Sequence, residues 1–582
     1  MNPPLNFSPD HRVAGILAPV FAVRSDNDLG CGDTHSLCEF IDWVAELGFR
    51  VVQVLPINET GGDHSPYNAI SSMALDVTTL WLHPAAVPEL LAANFDVILG
   101  ETDQTRLRGN VVDYFAVKAL KWRLLESAFD EFERKHLGRR TVRGKRLREF
   151  TKAQPWLEGY TLFRALMAHN GGGEQFEAWP IEQRSVAAAR SWMLSLDPAE
   201  RARFERRRSF YAYVQWIAWQ QWAGVKAHAE SRGVALMGDI PFGISYCSAD
   251  YFAHPELFEP GWCGGAPPET IFKDDIFVQR WGQNWGIPVY DWEAMARDDF
   301  SWWRQRSAGL RELFHSFRID HILGFYRLYS FPWRPARNLE FLPLTHEEAA
   351  TRTGGLLPGF RPRDDSTPEN RAENRAQGDH LIRIIQSAAM PAVLVAEDLG
   401  LVPEYVRPHL ASLGIAGFKI PQWEVRPDGP MTPGGEYNRV SVATYATHDH
   451  EPLAAMYRRW ENAAREERAG NADFHETAEE GRREAWKLGE YAGIPPAHRF
   501  DGWNDATHEA LVEALLASNS WIAILMITDL LGTTERFNIP GVANDTNWRR
   551  RLDHTAAEFR NDVIIAGKMA RITAMLARTG RI

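Results

Sequence analysis

The sequence predicts an α/β fold: a (β/α)8 barrel of the TIM type with largely helical insertions and no C-terminal β-sandwich domain. Three observations carry this expectation. Short, nearly continuous apolar runs recur along the chain, and each ends in polar or charged residues, as buried parallel strands do. Patterns at helical spacing lie between these runs, so strands and helices alternate. Acidic residues stand just past four of the strands, at the edge where barrels build their sites.

Taken in order, the expected strands run from Val13 to Val20, Val51 to Pro56, Val234 to Pro241, Phe314 to His321, Val393 to Leu399, Val440 to His450 and Trp521 to Asp529. The stretch from Tyr211 to Arg232 reads as a long amphipathic helix that stops at Gly233. Far more residues separate the second and third strands than one crossover needs. Within that gap Val117, Leu120, Leu124, Ala128 and Phe132 recur at helical spacing, so residues 80–205 are expected to form a mostly helical insertion. Its basic run from Arg134 to Arg148 reads as a solvated helix surface. Residues 345–379 are rich in Glu, Arg, Gly, Pro and Asn and poor in aliphatics, so 340–380 reads as a surface excursion. No Gly/Ser linker divides the chain, so 1–582 is expected to be one catalytic unit.

Composition excludes several classes. The 582 residues are 45% hydrophobic and 24% charged, ordinary for a globular chain. Lys and Arg number 64 against 76 Asp and Glu, and the resulting net charge of −12 disfavours a nucleic-acid partner. The 4 cysteines form no CxxC pair, as expected of reduced thiols in a cytoplasmic protein. The opening MNPPLNFSPDHRV lacks a basic segment followed by an apolar one, so no cleaved signal is expected. No apolar run approaches the ~20 residues of a membrane span. The 22 Trp offer flat apolar faces with a polar edge, which suit the C–H faces of sugars as well as a core.

The acids at the strand ends are Asp239 in LMGDIP, Asp320 in SFRIDH, Glu397 and Asp398 in LVAEDLG, and Asp449 in YATHDH. Residues i and i+2 of a strand share a face, so Arg318 points the same way as Asp320 and should keep that carboxylate ionised with a low pKa. Glu397 follows Val-Leu-Val-Ala, a dry setting that raises a carboxyl's pKa and suits a general acid. Two carboxyls flanking a glycosidic bond, one attacking and one protonating, are the core of retaining glycoside chemistry. A competing reading is a zinc or manganese site at His448-Asp449-His450, but a regular strand would put Asp449 opposite both histidines, and there is no HExxH. His315 and His321 read as structural histidines. No Walker A, strand-linked GxGxxG or GxSxG pattern occurs.

These motifs resemble the amylomaltases, the 4-α-glucanotransferases of glycoside hydrolase family 77 in the α-amylase clan, over nearly the whole chain. The likeness rests on GILAPVFAV with GCGD, VVQVLPINETGGDHSPYNAISSMA, VVDY, MGDIPFGIS, AHPELF, GGAPPETIF and WGQNWGIPVYDW. It continues with SFRIDHILGF, LVAEDLG, GIAGFKIPQW, THD, RFNIPGV and the closing NW at 547–548. The resemblance implies that Asp320 is the nucleophile, Glu397 the acid/base and Asp449 the transition-state stabiliser. It implies that Arg318, His448 and Asp239 surround the cleaved sugar, and that Ser65 and Tyr67 touch the donor. Residues 255–290 would form the acceptor-side loop region, with Gln283 and Trp285.

The implied substrates are maltooligosaccharides and starch- or glycogen-derived α-1,4-glucans, with no metal and no organic cofactor. The expected assembly is a monomer or small homo-oligomer. Three departures stand out: His450 follows the catalytic Asp, Ile271-Phe272 replaces a Tyr-Phe type of pair, and residues 345–379 have no counterpart. Rival readings are a clan hydrolase or phosphorylase, a catalytically silent glucan-binding protein, and a metal-dependent hydrolase.

Overall fold

The computed structural model describes residues 7–269, 275–466, 478–540 and 546–582. Twelve strands occur in chain order among them: β1 Val13–Leu17, β2 Val51–Gln53, β3 Ala235–Ile240, β4 Phe258–Ala266, β5 Gln283–Tyr290, β6 Ser316–Ile319, β7 Leu328–Phe331, β8 Gly359–Arg361, β9 Val393–Ala396, β10 Gly417–Lys419, β11 Ser441–Ala443 and β12 Ile522–Met526. Eight of them pair in parallel in the order β10-β11-β12-β1-β2-β3-β6-β9. A parallel bridge between Val395 and Ala416, with Ala396 N donating to Ala416 O at 2.9 Å, joins the last strand to the first. The ring is a (β/α)8 barrel.

All seven expected strands are barrel strands, and their near-continuous burial explains why the apolar runs were visible. The eighth, β10, was not expected. It is three residues long, and two of those are only half-buried. The run from Val440 to His450 shortens to β11, and 444–450 leave the sheet in an irregular turn. The alternating-face reading of His448 and Asp449 therefore falls.

A second, antiparallel sheet of four strands, β5-β4-β7-β8, stands beside the barrel and was also not expected. Its strands carry glycine and proline instead of continuous aliphatics. At Gly265, which pairs with both neighbours, an added Cβ would lie 1.9 Å from Gln283 O, so only glycine lets β4 sit between β5 and β7.

The long helix between β2 and β3 is Pro198–Ser231, capped by Asp197 and ending before Gly233 at φ +69°. Between residues 80 and 205 lie the helices Ala92–Gly100, Tyr114–Lys135, Val142–Ala153, Leu157–His169 and Val186–Ser195. The stretch 340–380, expected as an excursion, holds β8 and the first half of the helix Pro368–Ala389, whose Leu381, Ile382 and Ile385 are buried. Among the described residues no strand follows β12. Trp43, Trp222, Trp281, Trp303, Trp333 and Trp521 are core filler, whereas Trp285 and Trp423 are 39% and 53% exposed.

Candidate active site

The site lies at the carboxyl ends of the barrel strands. β6 sits between β3 and β9, with Arg318 in register with Asp239 on one side and Val395 on the other. Arg318 is fully buried and bridges two carboxylates: Nε donates to Asp239 Oδ1 at 2.9 Å and Nη2 to Asp320 Oδ1 at 2.7 Å. This is the shared face that the i, i+2 spacing predicts. The pKa of Asp320 nevertheless moves the other way. Burial at the base of the cleft pushes it up to about 6, and Arg318 only partly offsets that. The expectation of a low pKa is thereby corrected: desolvation outweighs the ion pair.

Glu397 follows β9. Its Oε2 accepts from His321 N at 2.7 Å and its Oε1 from Leu399 N at 2.9 Å, which fixes the carboxyl in place. Burial, then the charge of Asp320, pushes its pKa up to about 8. At neutral pH Asp320 is therefore ionised and Glu397 protonated, which is the division of labour that acid and nucleophile need.

Asp449 lies in the turn after β11. Asn538 Nδ2 donates to its Oδ1 at 2.6 Å, and His448 Nε2 lies 3.2 Å from its Oδ2. Burial raises the pKa of this carboxyl, but His448 and the Asn538 amide more than reverse the effect, and it falls below the ordinary aspartate value. Tyr67 reaches in from the loop after β2: its hydroxyl donates to Asp239 Oδ2 at 2.6 Å and its ring stacks on His448 at 4.9 Å. Asp239 and His448 are buried behind the wall, Asp239 against Arg318 and Tyr67, His448 against Tyr67 and Asp449.

The remaining residues line one cleft of about 1200 Å³ together with the three carboxylates. Ser65 caps the local turn, its Oγ accepting from Tyr67 N at 3.3 Å. Gln283 and Trp285 enter from β5, joined by a 3.1 Å hydrogen bond from the indole. Eight of the ten residues named from the sequence line this cleft, and Asp239 and His448 stand buried behind its wall. Three others were not named as site residues. Asn538 and Trp548 sit in the closing motif and pack on Asp449 and on Tyr67 with His448. His321, expected as structural, lines the cleft with φ +50° and meets Trp285 edge-on at 4.8 Å. His450 accepts from Thr447 N at 3.1 Å through Nδ1 and abuts Trp423. Ile271 and Phe272 lie outside the described residues. Among the described residues no three His, Cys, Asp or Glu side chains are arranged to hold a metal ion.

The chain is similar to known proteins over most of its length. A 4-alpha-glucanotransferase of Chlamydia pneumoniae is 30% identical over 559 residues, covering 95% of this chain and 93% of the relative. One of Thermus thermophilus is 29% identical, covering 88% and 89%. Among solved structures, the amylomaltase of Streptococcus agalactiae in complex with acarbose superposes with a TM-score of 0.73 at 22% identity, covering 98% and 99% of the two chains. The amylomaltase of Corynebacterium glutamicum gives 0.76 at 20%, covering 99% of this chain and 76% of that one. These likenesses are of fold. The sequence model of the 4-alpha-glucanotransferases, glycoside hydrolase family 77, matches residues 18–556, and with that match over a barrel that gathers these carboxylates, the chain belongs to that family.

Proposed function

We propose that the chain carries out its family's reaction through Asp320, Glu397 and Asp449. It cleaves an α-1,4 bond in a maltooligosaccharide or a starch- or glycogen-derived glucan, and passes the donor segment to the 4-OH of another glucan or of glucose. Asp320 attacks the anomeric carbon while Glu397 gives its proton to the departing glycosidic oxygen. The anomeric C–O bond breaks as the ester to Asp320 forms. Glu397, now ionised, takes the proton of the acceptor 4-OH as that oxygen displaces Asp320. Two inversions give net retention.

Arg318 orients Asp320 and receives its charge again when the ester breaks. Asp449, held ionised, faces the positive charge that builds on the sugar. Ser65 and Tyr67 hold the donor, and Gln283 and Trp285 the acceptor. The observation that carries this reading is geometric: Asp320, held by Arg318, and Glu397, held by the His321 and Leu399 amides, line one cleft together with Asp449.

The catalytic unit spans 1–582, with 80–205 as a helical insertion and 255–290 as the acceptor-side region. The four unpaired cysteines support a cytoplasmic setting. The working form is a monomer or small homo-oligomer with no nucleic-acid or membrane partner. No helix among the described residues is long and apolar enough to cross a membrane. Incubation with maltotriose alone tests the reading. Glucose with a ladder of maltotetraose, maltopentaose and longer chains is expected. Glucose and maltose alone would make water the acceptor and overturn it.

A further inference from the structure

The cleft extends past Glu397 between two walls that the mechanism leaves unused. One wall is the loop after Glu397, where Leu401 is 60% exposed. Leu399 N, hydrogen-bonded to Glu397 Oε1 at 2.9 Å, starts this loop at the acid itself. The other wall comes from the small sheet, where the half-buried rings of Tyr329 on β7 and Phe360 on β8 line the same cleft, 5.3 Å apart.

The register places Tyr329 opposite Gly265 of β4 and Phe360 opposite Tyr329. β8 is thus three strand spacings from β5 and Trp285, about 14 Å at ordinary spacing. The far wall is also locked. The Arg327 guanidinium lies 3.5 Å over the Phe360 ring and pairs with Asp365 at 2.7 Å. Asp365 also accepts from the Tyr405 hydroxyl at 3.0 Å, which ties β8 back to the segment that follows Leu401. The Arg327 charge is neutralised, and the Tyr329 hydroxyl has no hydrogen-bond partner among the described residues.

Two aromatic rings, an exposed leucine and one spare hydroxyl, with no uncompensated charge, suit a neutral ligand that has apolar C–H faces and hydroxyls. The general acid stands beside the oxygen that joins donor to leaving chain, so a chain on that side passes this way.

The geometry points to Tyr329, Phe360 and Leu401 as a distal acceptor-side subsite for the outer glucosyl units of longer α-1,4-glucans. This rests on the proposed transfer reaction and adds a length preference to it. The stretch 340–380 contributes through Phe360. Glucose, held beside Glu397 and Trp285, does not reach it; maltohexaose does.

The test uses maltotriose as donor with labelled glucose or labelled maltohexaose as acceptor, and compares kcat/KM for the two. In Phe360→Ala and in Leu401→Ala the ratio of maltohexaose to glucose is expected to fall about fivefold, and about tenfold or more in the double variant. Phe360→Tyr should restore it. Leu401 is exposed, so its variant does not depend on refolding a strand. A ratio that stays at the wild-type value in Leu401→Ala and in the double variant overturns the subsite while leaving the transfer reaction intact. Absence of transfer to either acceptor by the wild-type protein overturns the reaction, and the subsite with it.

Discussion

Asn538 donates a 2.6 Å hydrogen bond to Asp449, joining the turn after the seventh barrel strand to the segment beyond the eighth. Arg536 reinforces the joint by donating to Asp449 O at 3.0 Å. The Asp449 carboxylate, which the proposed mechanism sets opposite the developing sugar cation, is therefore positioned from a part of the chain almost ninety residues away. Hydrogen bonds to charged groups contribute about 1.5–3 kcal/mol, so Asn538→Ala is expected to lower kcat about 10- to 100-fold. The donor KM should move much less. Steady-state disproportionation kinetics check this; an unchanged kcat would remove Asn538 from the site's machinery.

The opposed carboxyls set the pH dependence. In the proposed mechanism Asp320, near 6, must be ionised to attack, and Glu397, near 8, must be protonated to donate. Because the two groups interact, the limbs belong to the pair. The expected kcat/KM profile is a bell with its plateau between about 6 and 8, falling on the acid side through Asp320 and on the alkaline side through Glu397. With glucosyl fluoride as donor, whose leaving group needs little acid help, the alkaline limb of the first step should flatten in Glu397→Gln.

Much of the fold and of the site was legible in the sequence, and the gaps have physical causes. Long dry strands such as β3 and β12 announce themselves because every residue is buried. β10 hides because it is three residues long with half-buried ends, and the small sheet hides because Gly264 and Gly265 replace the branched side chains that mark strands. The acids at strand ends and the Arg318–Asp320 pair follow from periodicity alone. The sign of the Asp320 shift does not, because it depends on how much water three-dimensional packing removes. Nor does the role of Asn538, which only the closed barrel brings beside Asp449.

Asp529, after β12, is a buried acid outside the chemistry. Its Oδ1 accepts from Leu453 N at 2.7 Å, at the start of the helix Leu453–Glu466, but Oδ2 has no partner among the described residues and burial pushes the pKa up to about 7. The folded protein holds this proton more tightly than the unfolded chain does. Stability is then lost as pH rises from the ordinary aspartate range near 4 through about 7. Asp529→Asn keeps an acceptor for Leu453 N and removes the charge. It should raise stability at pH 8 by about 1–3 kcal/mol and flatten that window, as read from urea unfolding at pH 5 and pH 8.

Arg581 closes the opposite end of the barrel. Fully buried, it donates to the carbonyls of Val13 at 2.7 Å, Ser518 at 2.8 Å, Ser520 at 3.1 Å and Trp521 at 3.3 Å. These carbonyls belong to the first residue of β1 and to the mostly buried segment 518–521 that leads into β12. Arg581→Ala removes charge-assisted bonds from these carbonyls, of which Trp521 O keeps Val13 N and Ser518 O keeps Arg12 Nη1, and should cost about 1.5–3 kcal/mol. A marked fall in Tm is expected, with kcat of the folded enzyme preserved.

In the proposed mechanism Asp320 forms the covalent intermediate. Glu397→Gln lacks the base that frees the second step, so a glucosyl fluoride donor should load the enzyme and leave it loaded. Peptide mass spectrometry after rapid acid quench and digestion is expected to find one added glucosyl group on the peptide that carries Asp320, and none in Asp320→Asn. A glucosyl group on Asp449 instead, or continued transfer by Asp320→Asn, would rule out Asp320 as the nucleophile.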